Sequence, residues 1–174
     1  SKIDLTFSGS TVVGCYLLQD KLYCCNVGDS RAIIGSYDER TKKWSAKELS
    51  NDHKPSVRQE ADRIISAMEE YRLLGIPKDF IFSTLGNPIG PLRVWLKDEN
   101  VPGLAMTRSF GDLVAASVGV SSDPEINVRV CLTQEYTMTQ KDRIILIASD
   151  GVWEFLQNDE LVNMIAPFYE GKKI

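Results

Sequence analysis

Several things are scarce in this 174-residue sequence, and each scarcity removes a class of function. There is one histidine, His53. No Gly-x-Ser-x-Gly elbow accompanies it, which argues against a Ser-His-Asp hydrolase. No lysine- and arginine-rich run occurs and the formal net charge is −4, so nucleic acid is not an expected partner. The longest apolar runs fall far short of the roughly 20 residues a spanning helix needs, so no transmembrane segment is expected. The four cysteines, Cys15, Cys24, Cys25 and Cys131, form no Cys-x-x-Cys pair. They read as small buried thiols of a reducing compartment, which points to an intracellular, cytoplasmic or nuclear protein. No signal-peptide pattern is present, although the first residue is not Met and upstream targeting information would not be seen. What is abundant is ordinary: 43% hydrophobic and 25% charged residues, enough for one domain with a sizeable core.

The patterning predicts strands at 11–18 and 22–27, joined by the short Gln19-Asp20-Lys21 link. Gly28-Asp29-Ser30 reads as a turn, with further strands at 31–36 and 44–49. Four short strands with tight links predict an antiparallel meander. The period then changes. Val57, Ala61, Ile64, Ile65 and Met68 recur at helical spacing, and Ser56 with Gln59 makes a capping-box pattern after Pro55. This predicts an amphipathic helix of about three turns packed on the sheet. Residues 69–103 hold no period and carry Gly75, Pro77, Gly86, Pro88, Gly90 and Pro91, as an irregular functional loop or flap would. Strands resume at 126–132 and 142–149, and Asn158 reads as the N-cap of a helix with Leu161, Val162 and Ile165 inward. The element order predicts an α+β domain with helices on antiparallel sheet.

The segment with the most chemistry is Ile144-Ile145-Leu146-Ile147-Ala148-Ser149-Asp150-Gly151-Val152-Trp153. Five consecutive apolar residues predict a strand buried on both faces, ending in the carboxylate of Asp150. A rigid strand that ends in an acid can hold a hard cation, although Ser-Asp-Gly after a strand is more commonly an ordinary turn. Asp112, after Gly111 in Arg108-Ser109-Phe110-Gly111-Asp112, is a second acid at an element end, and the two could converge on one Mg²⁺ or Mn²⁺ ion. His53 reads as a loop or capping residue rather than a general base. Gly9-Ser10-Thr11 lacks the lysine of a phosphate-binding P-loop and reads as structural. Asp29 and Arg31 flank a tight turn and read as pairing with each other or with the backbone.

The order of the short motifs carries more than any one of them. Ser8-Gly9-Ser10-Thr11 is followed by Asn26-Val27-Gly28-Asp29-Ser30-Arg31-Ala32, then by Leu49 to Pro55 with Glu60, Arg63 and Ile64. Arg93-Val94-Trp95, Pro102 to Asp112, Pro124-Glu125-Ile126 and Ala148 to Trp153 complete seven blocks. In this order they resemble the metal-dependent protein Ser/Thr phosphatases of the type 2C (PPM) family, from about residue 8 to about residue 166.

The resemblance implies an α-β-β-α sandwich of two antiparallel sheets with flanking helices. It implies removal of phosphate from phosphoserine and phosphothreonine proteins by a water activated by two or more Mn²⁺ or Mg²⁺ ions. Asp150 matches a core metal-site aspartate, and Asp112 one that helps hold a third metal. Glu154 stands where the family has Asp, one methylene shorter, and is the further ligand the resemblance implies. The family's Asp-Gly-His-Gly-Gly motif, the arginine before it and the final metal-site aspartate have no counterpart here, since the chain has no Gly-Gly pair. Residues 1–174 therefore read as a partial catalytic domain, with catalytic and substrate-binding residues unassigned and with negligible activity expected of the segment alone. The flap at 69–103 is a candidate surface for a regulatory partner. The competing readings are a pseudophosphatase scaffold and an interaction domain of the same fold that binds through the flap and Trp95.

Overall fold

A computed structural model describes residues 3–19, 21–73, 80–83, 91–96, 101–129 and 140–171. In chain order, the first elements are β1 (Gly9–Ser10), β2 (Val12–Leu18), β3 (Lys21–Val27), β4 (Arg31–Asp38) and β5 (Lys43–Glu48). Then come α1 (Arg58–Leu73), β6 (Phe80–Ser83), β7 (Arg93–Leu96), β8 (Pro102–Leu104), β9 (Phe110–Gly111) and α2 (Leu113–Ala116). The last are β10 (Glu125–Arg129), β11 (Asp142–Ala148), α3 (Asp150–Trp153) and α4 (Asn158–Tyr169). The chain divides into two compact units: Ser1–Val12, Val27–Asp29 and Asp52–Pro124 in the first, and Val13–Asn26, Ser30–Asn51 and Glu125–Ile174 in the second.

The second unit is a sheet-on-sheet structure. One antiparallel sheet runs β10-β3-β2 and the other β11-β4-β5. The four early strands are thus two hairpins in two sheets, not the single meander the sequence predicts. The chain changes sheet at Gly28, whose φ of +99° suits only glycine without strain. The hydrophobic layer between the sheets contains Leu22 and Cys24 from β3, Ala32 and Ile34 from β4, and Leu49, with Val13 and Cys15 at its margin. Burying each of the larger side chains stabilises the fold by about 1.5–3 kcal/mol. On the other face of β4, Ile33 packs with Trp153 and Val162, so α4 covers that sheet from outside. The α+β architecture and its sheet-on-sheet core are as predicted.

Several local expectations are corrected. β11 is half-buried on one face and exposed on the other, where Ile145 and Ile147 are 37% and 49% exposed. They pair with Ile34 and Ala32, which are buried, but among the described residues β11 is the outermost strand of its sheet. Apolar run length alone cannot distinguish an edge strand from a central one. Cys24 is buried and its neighbour Cys25 exposed, as alternation along a strand requires, so Cys25 is not one of the buried thiols expected. Cys131 and the 130–132 end of the predicted strand lie outside the described residues. Asn158 is the first residue of α4 and not its cap. The helix starts from Gln157 in a capping box with Glu160, while the Asn158 amide links Arg31 and Glu48.

In the first unit α1 is longer than predicted, at 16 residues. Its inward row is Glu60, Ile64 and Met68, whereas Val57 and Ile65 are exposed. Ile64 and Met68 pack on Val94 of β7 and on Ala115, Val118 and Val120. The stretch at 69–103 is less irregular than its punctuation suggests. It contains the end of α1 and the strands of a β6-β7-β8 sheet, with 74–79, 84–90 and 97–100 outside the described residues. Trp95 is only 9% exposed, so it is a core side chain of β7 and not a docking surface. Its ring lies so close to Gly103 that a Cβ there would stand 2.6 Å from it.

Candidate functional site

In the first unit Asp112 is held by backbone on both sides. Gly9 pairs with Gly111 across β1 and β9, and the Asp112 N–H donates to the Ser8 carbonyl at 2.9 Å. Gly111 and Asp112 both have positive φ, +86° and +46°. That left-handed turn brings Asp112 to the start of α2, where its side chain makes no cap bond to the helix. Instead the Ser109 hydroxyl donates to Asp112 Oδ2 at 2.5 Å. Asp112 is 8% and Ser109 2% exposed, so this is a buried charge-assisted pair.

The segment leading to Ser109 is fixed by Glu60 of α1, which in the sequence is only one member of a motif. Glu60 is 6% exposed. Its carboxylate accepts from Arg108 Nη2 at 2.6 Å, from Arg108 Nε at 3.1 and 3.2 Å, and from Thr107 Oγ1 at 2.8 Å. Arg63 adds Nη2 at 3.0 Å and Nε at 3.3 Å. Arg63 also donates to the Thr107 carbonyl at 2.6 Å, and Arg108 to the Asp123 carbonyl at 2.9 Å. Burial pushes the Glu60 carboxyl up, but the donors of Arg108, Arg63 and Thr107 outweigh it and bring it down from 4.5 to about 2. Beside this cluster lies an open cavity of about 570 Å³ lined in part by Arg63, Arg108, Ser121 and Asp123. Both guanidiniums spend donors on Glu60, so this wall is a compensated ion cluster rather than a bare cationic patch.

His53, read from sequence as a loop or capping residue, is a buried brace with 1% exposure. Its Nδ1 accepts from the Gly28 N–H at 3.1 Å, its own N–H donates to the Gly28 carbonyl at 3.0 Å, and its carbonyl accepts from Thr107 N–H at 2.9 Å. It thereby ties the Gly28 turn to the Thr107 segment.

In the second unit Asp150 is the first residue of α3, directly after β11 and Ser149. It is half-buried, and among the described residues no donor reaches its carboxylate. Glu154 is exposed at the C-cap, with its N–H donating to the Asp150 carbonyl at 2.8 Å, one helical turn on. That spacing puts the two acids on one side of the turn. Trp153 anchors the turn from below. It is 7% exposed, its Nε1 donates to the Ala148 carbonyl at 2.8 Å, and the Arg31 guanidinium lies 5.3 Å from its ring centroid. Arg31 thus engages Trp153, Asn158 and Glu48.

Each of these acids has the oxygen chemistry that Mg²⁺ or Mn²⁺ takes, and within the second unit Asp150, which lacks a competing protein donor among the described residues, and Glu154 on the same turn suit such an ion. Among the described residues no three His, Cys, Asp or Glu side chains come together as a complete cation site. Sequence reasoning selected Asp112, Asp150 and Glu154. It missed Ser109 as the partner of Asp112 and Glu60 as the hub. Only the inward phase of Glu60 with Ile64 and Met68 on α1 could have signalled the latter.

Among the described residues no helix is long and apolar enough to cross a membrane. The chain is 37% identical over 164 residues to "Probable protein phosphatase 2C 64" of Oryza sativa subsp. japonica, covering 94% of this chain and 34% of that protein. It is 38% identical over 168 residues to "Probable protein phosphatase 2C 72" of Arabidopsis thaliana, covering 97% and 44%. The chain thus spans about a third to under a half of these relatives. Its fold matches the crystal structure of a serine-threonine phosphatase 2C from Toxoplasma gondii with TM-score 0.69 at 21% identity, over 96% of this chain and 49% of that one. It also matches a C. elegans sex determining protein with TM-score 0.65 at 25% identity, over 92% and 31%. The family model for protein phosphatase 2C matches residues 4–173, and the chain belongs to that family.

Proposed function

We propose that the protein carrying this chain is a metal-dependent phosphatase acting on phosphoserine and phosphothreonine in proteins, and that Asp150, Asp112 and Glu154 are cation ligands in it. The observation that carries the reading is Asp150: a half-buried acid on a rigid strand-to-helix turn, with no donor among the described residues to satisfy it. An acid in that state is stabilised by a cation, whereas a scaffold gains nothing from it. Mn²⁺ or Mg²⁺, two or more per complete site, supply activation of the attacking water and neutralise phosphoryl charge when bound. The work of this chain is to hold the carboxylates. Trp153 packing fixes the α3 turn under Asp150, and the Glu60 cluster and the Gly111 turn fix Asp112. Glu154, exposed and one methylene longer than Asp, suits a loosely bound ion. The 69–103 region is the proposed place for a regulatory partner.

The chain by itself is proposed to turn over substrate negligibly, because its described acids do not assemble three donors at one point. Hydrolysis of a phosphothreonine peptide with Mn²⁺ tests both statements. The full-length protein is expected to be active, its Asp150→Ala variant to lose at least about a hundredfold in kcat/KM, and residues 1–174 alone to be inactive. A full-length protein that is inactive yet folded would favour the pseudophosphatase reading, and robust turnover by the isolated chain would refute the incomplete-site claim.

A further inference from the structure

We propose that Cys15 and Cys24 are a reversible oxidation site, closed by a hydroperoxide to a disulfide between β2 and β3, with Cys15 as the attacking thiol and Cys24 as the resolving one. β2 and β3 are neighbours in one sheet, and three contacts set their register. The Tyr16 and Tyr23 ring centroids lie 6.4 Å apart, the Cys24 thiol hydrogen-bonds Cys15, and a Cβ on Gly14 would stand 3.5 Å from Cys25 Sγ. Cys15 therefore stands directly opposite Cys24. Opposed residues of antiparallel strands have Cα atoms about 4.5 or 5.5 Å apart, and a disulfide spans about 4.4–6.8 Å. Both thiols also face the same way, into the layer of Leu22, Ala32, Ile34 and Leu49. The sulfurs can bond without moving the strands.

The two cysteines differ in access, and this assigns their roles. Cys15 is half-buried at the margin of the layer, whereas Cys24 is 2% exposed. A small peroxide reaches Cys15 first. The Cys24 hydrogen bond holds the Cys15 thiol below its ordinary range against burial, which pushes it up, and so favours the reactive thiolate. Cys25 is exposed but faces Gly14, which offers no sulfur.

The Cys15 thiolate attacks one oxygen of the peroxide. An S–O bond forms, the O–O bond breaks, and the departing hydroxide takes up the Cys15 proton as water. The Cys24 sulfur then attacks the sulfenic sulfur. The S–S bond forms, the S–O bond breaks, and hydroxide leaves with the Cys24 proton as a second water. The thiol pair loses two electrons and the peroxide gains them. A dithiol restores both thiols by exchange.

The test is peptide mapping of the reduced full-length protein after hydrogen peroxide, with remaining thiols blocked by N-ethylmaleimide in denaturant. Trypsin cuts after Lys21, between the two cysteines, so the disulfide joins residues 3–21 to residues 22–31. The joined pair is expected from the folded wild type, is expected to disappear with dithiothreitol, and is expected to persist in Cys25→Ser. In Cys24→Ser it should be lost, and dimedone should then trap sulfenic acid at Cys15. Recovery of Cys15 and Cys24 as maleimide adducts while Cys25 is oxidised would overturn the proposal. So would a joined pair that survives Cys24→Ser or that forms only in unfolded protein. The wild-type and Cys25→Ser maps decide the matter should Cys24→Ser not fold.

Discussion

Replacing Glu60 by Gln should destabilise the protein by about 3 kcal/mol at neutral pH, and the loss should vanish in acid. Two independent routes give this magnitude. The Glu60 carboxyl lies at about 2 in the folded protein against an ordinary 4.5. That difference of roughly 2.5 pH units corresponds to about 3–4 kcal/mol at about 1.4 kcal/mol per unit, or about 3 kcal/mol after modest screening. Screening reduces this little, because the Glu60 and Arg108 side chains are 8% and 14% exposed. By the other route, removing one partner of a buried ion pair costs about 3–5 kcal/mol, since it leaves the other charge uncompensated. The substituted amide would also turn an N–H₂ group toward guanidinium donors already aimed at a carboxylate. The sign with pH follows from the depressed value. The carboxylate's contribution is fully present above about 4.5 and is lost as pH falls toward about 2. Urea unfolding of wild type and Glu60→Gln at about pH 7, 5, 4 and 3 is the assay, read beside melting temperatures that should differ by about 6–12 °C at neutral pH. A difference below about 1 kcal/mol at neutral pH, or one that does not shrink between about pH 5 and pH 3, would refute the hub role.

Two further outcomes follow from packing. A Cβ on Gly35 would stand 3.1 and 3.3 Å from the two methyls of Val162, which is fully buried. Gly35→Ala should therefore cost about 1–3 kcal/mol, and adding Val162→Ala should cost less than the sum of the single changes, as a double-mutant cycle in urea would show. Among the described cysteines, iodoacetamide on the native protein should label exposed Cys25 first and buried Cys24 only after unfolding. Equal labelling of Cys24 and Cys25 by peptide mass analysis would contradict the strand alternation.

The reach of the sequence differed by the kind of signal. Strand positions and the α+β class came from local pattern, because alternation and turn chemistry are written within a few residues; the choice of Asp112, Asp150 and Glu154 rests on motif order and the resemblance it carries. Sheet assignment did not. Whether β3 and β4 share a sheet depends on a single turn at Gly28, and a meander and a pair of facing hairpins have the same local pattern. Edge position was equally hidden. The run Ile144–Ile147 looks doubly buried, yet its exposure depends on what lies beyond β11. The Glu60 cluster was illegible for a third reason: an acid at a buried helical position reads as a surface residue unless its arginine partners, 3 and 48 residues away, are known to reach it. The same holds for Gly9, where a Cβ would stand 1.8 Å from Asp112 Oδ2, a closeness that exists only in three dimensions.

The functional reading stands or falls on Asp150 as a cation ligand. Its sharpest test is titration of the metal-stripped full-length protein with Mn²⁺ in a calorimeter, with and without Asp150→Ala. Wild type should bind Mn²⁺ in the micromolar range and the variant should lose at least one binding event, with metal-free melting temperatures within about 2–3 °C of each other. Identical Mn²⁺ isotherms for the two folded proteins would show that Asp150 holds no cation.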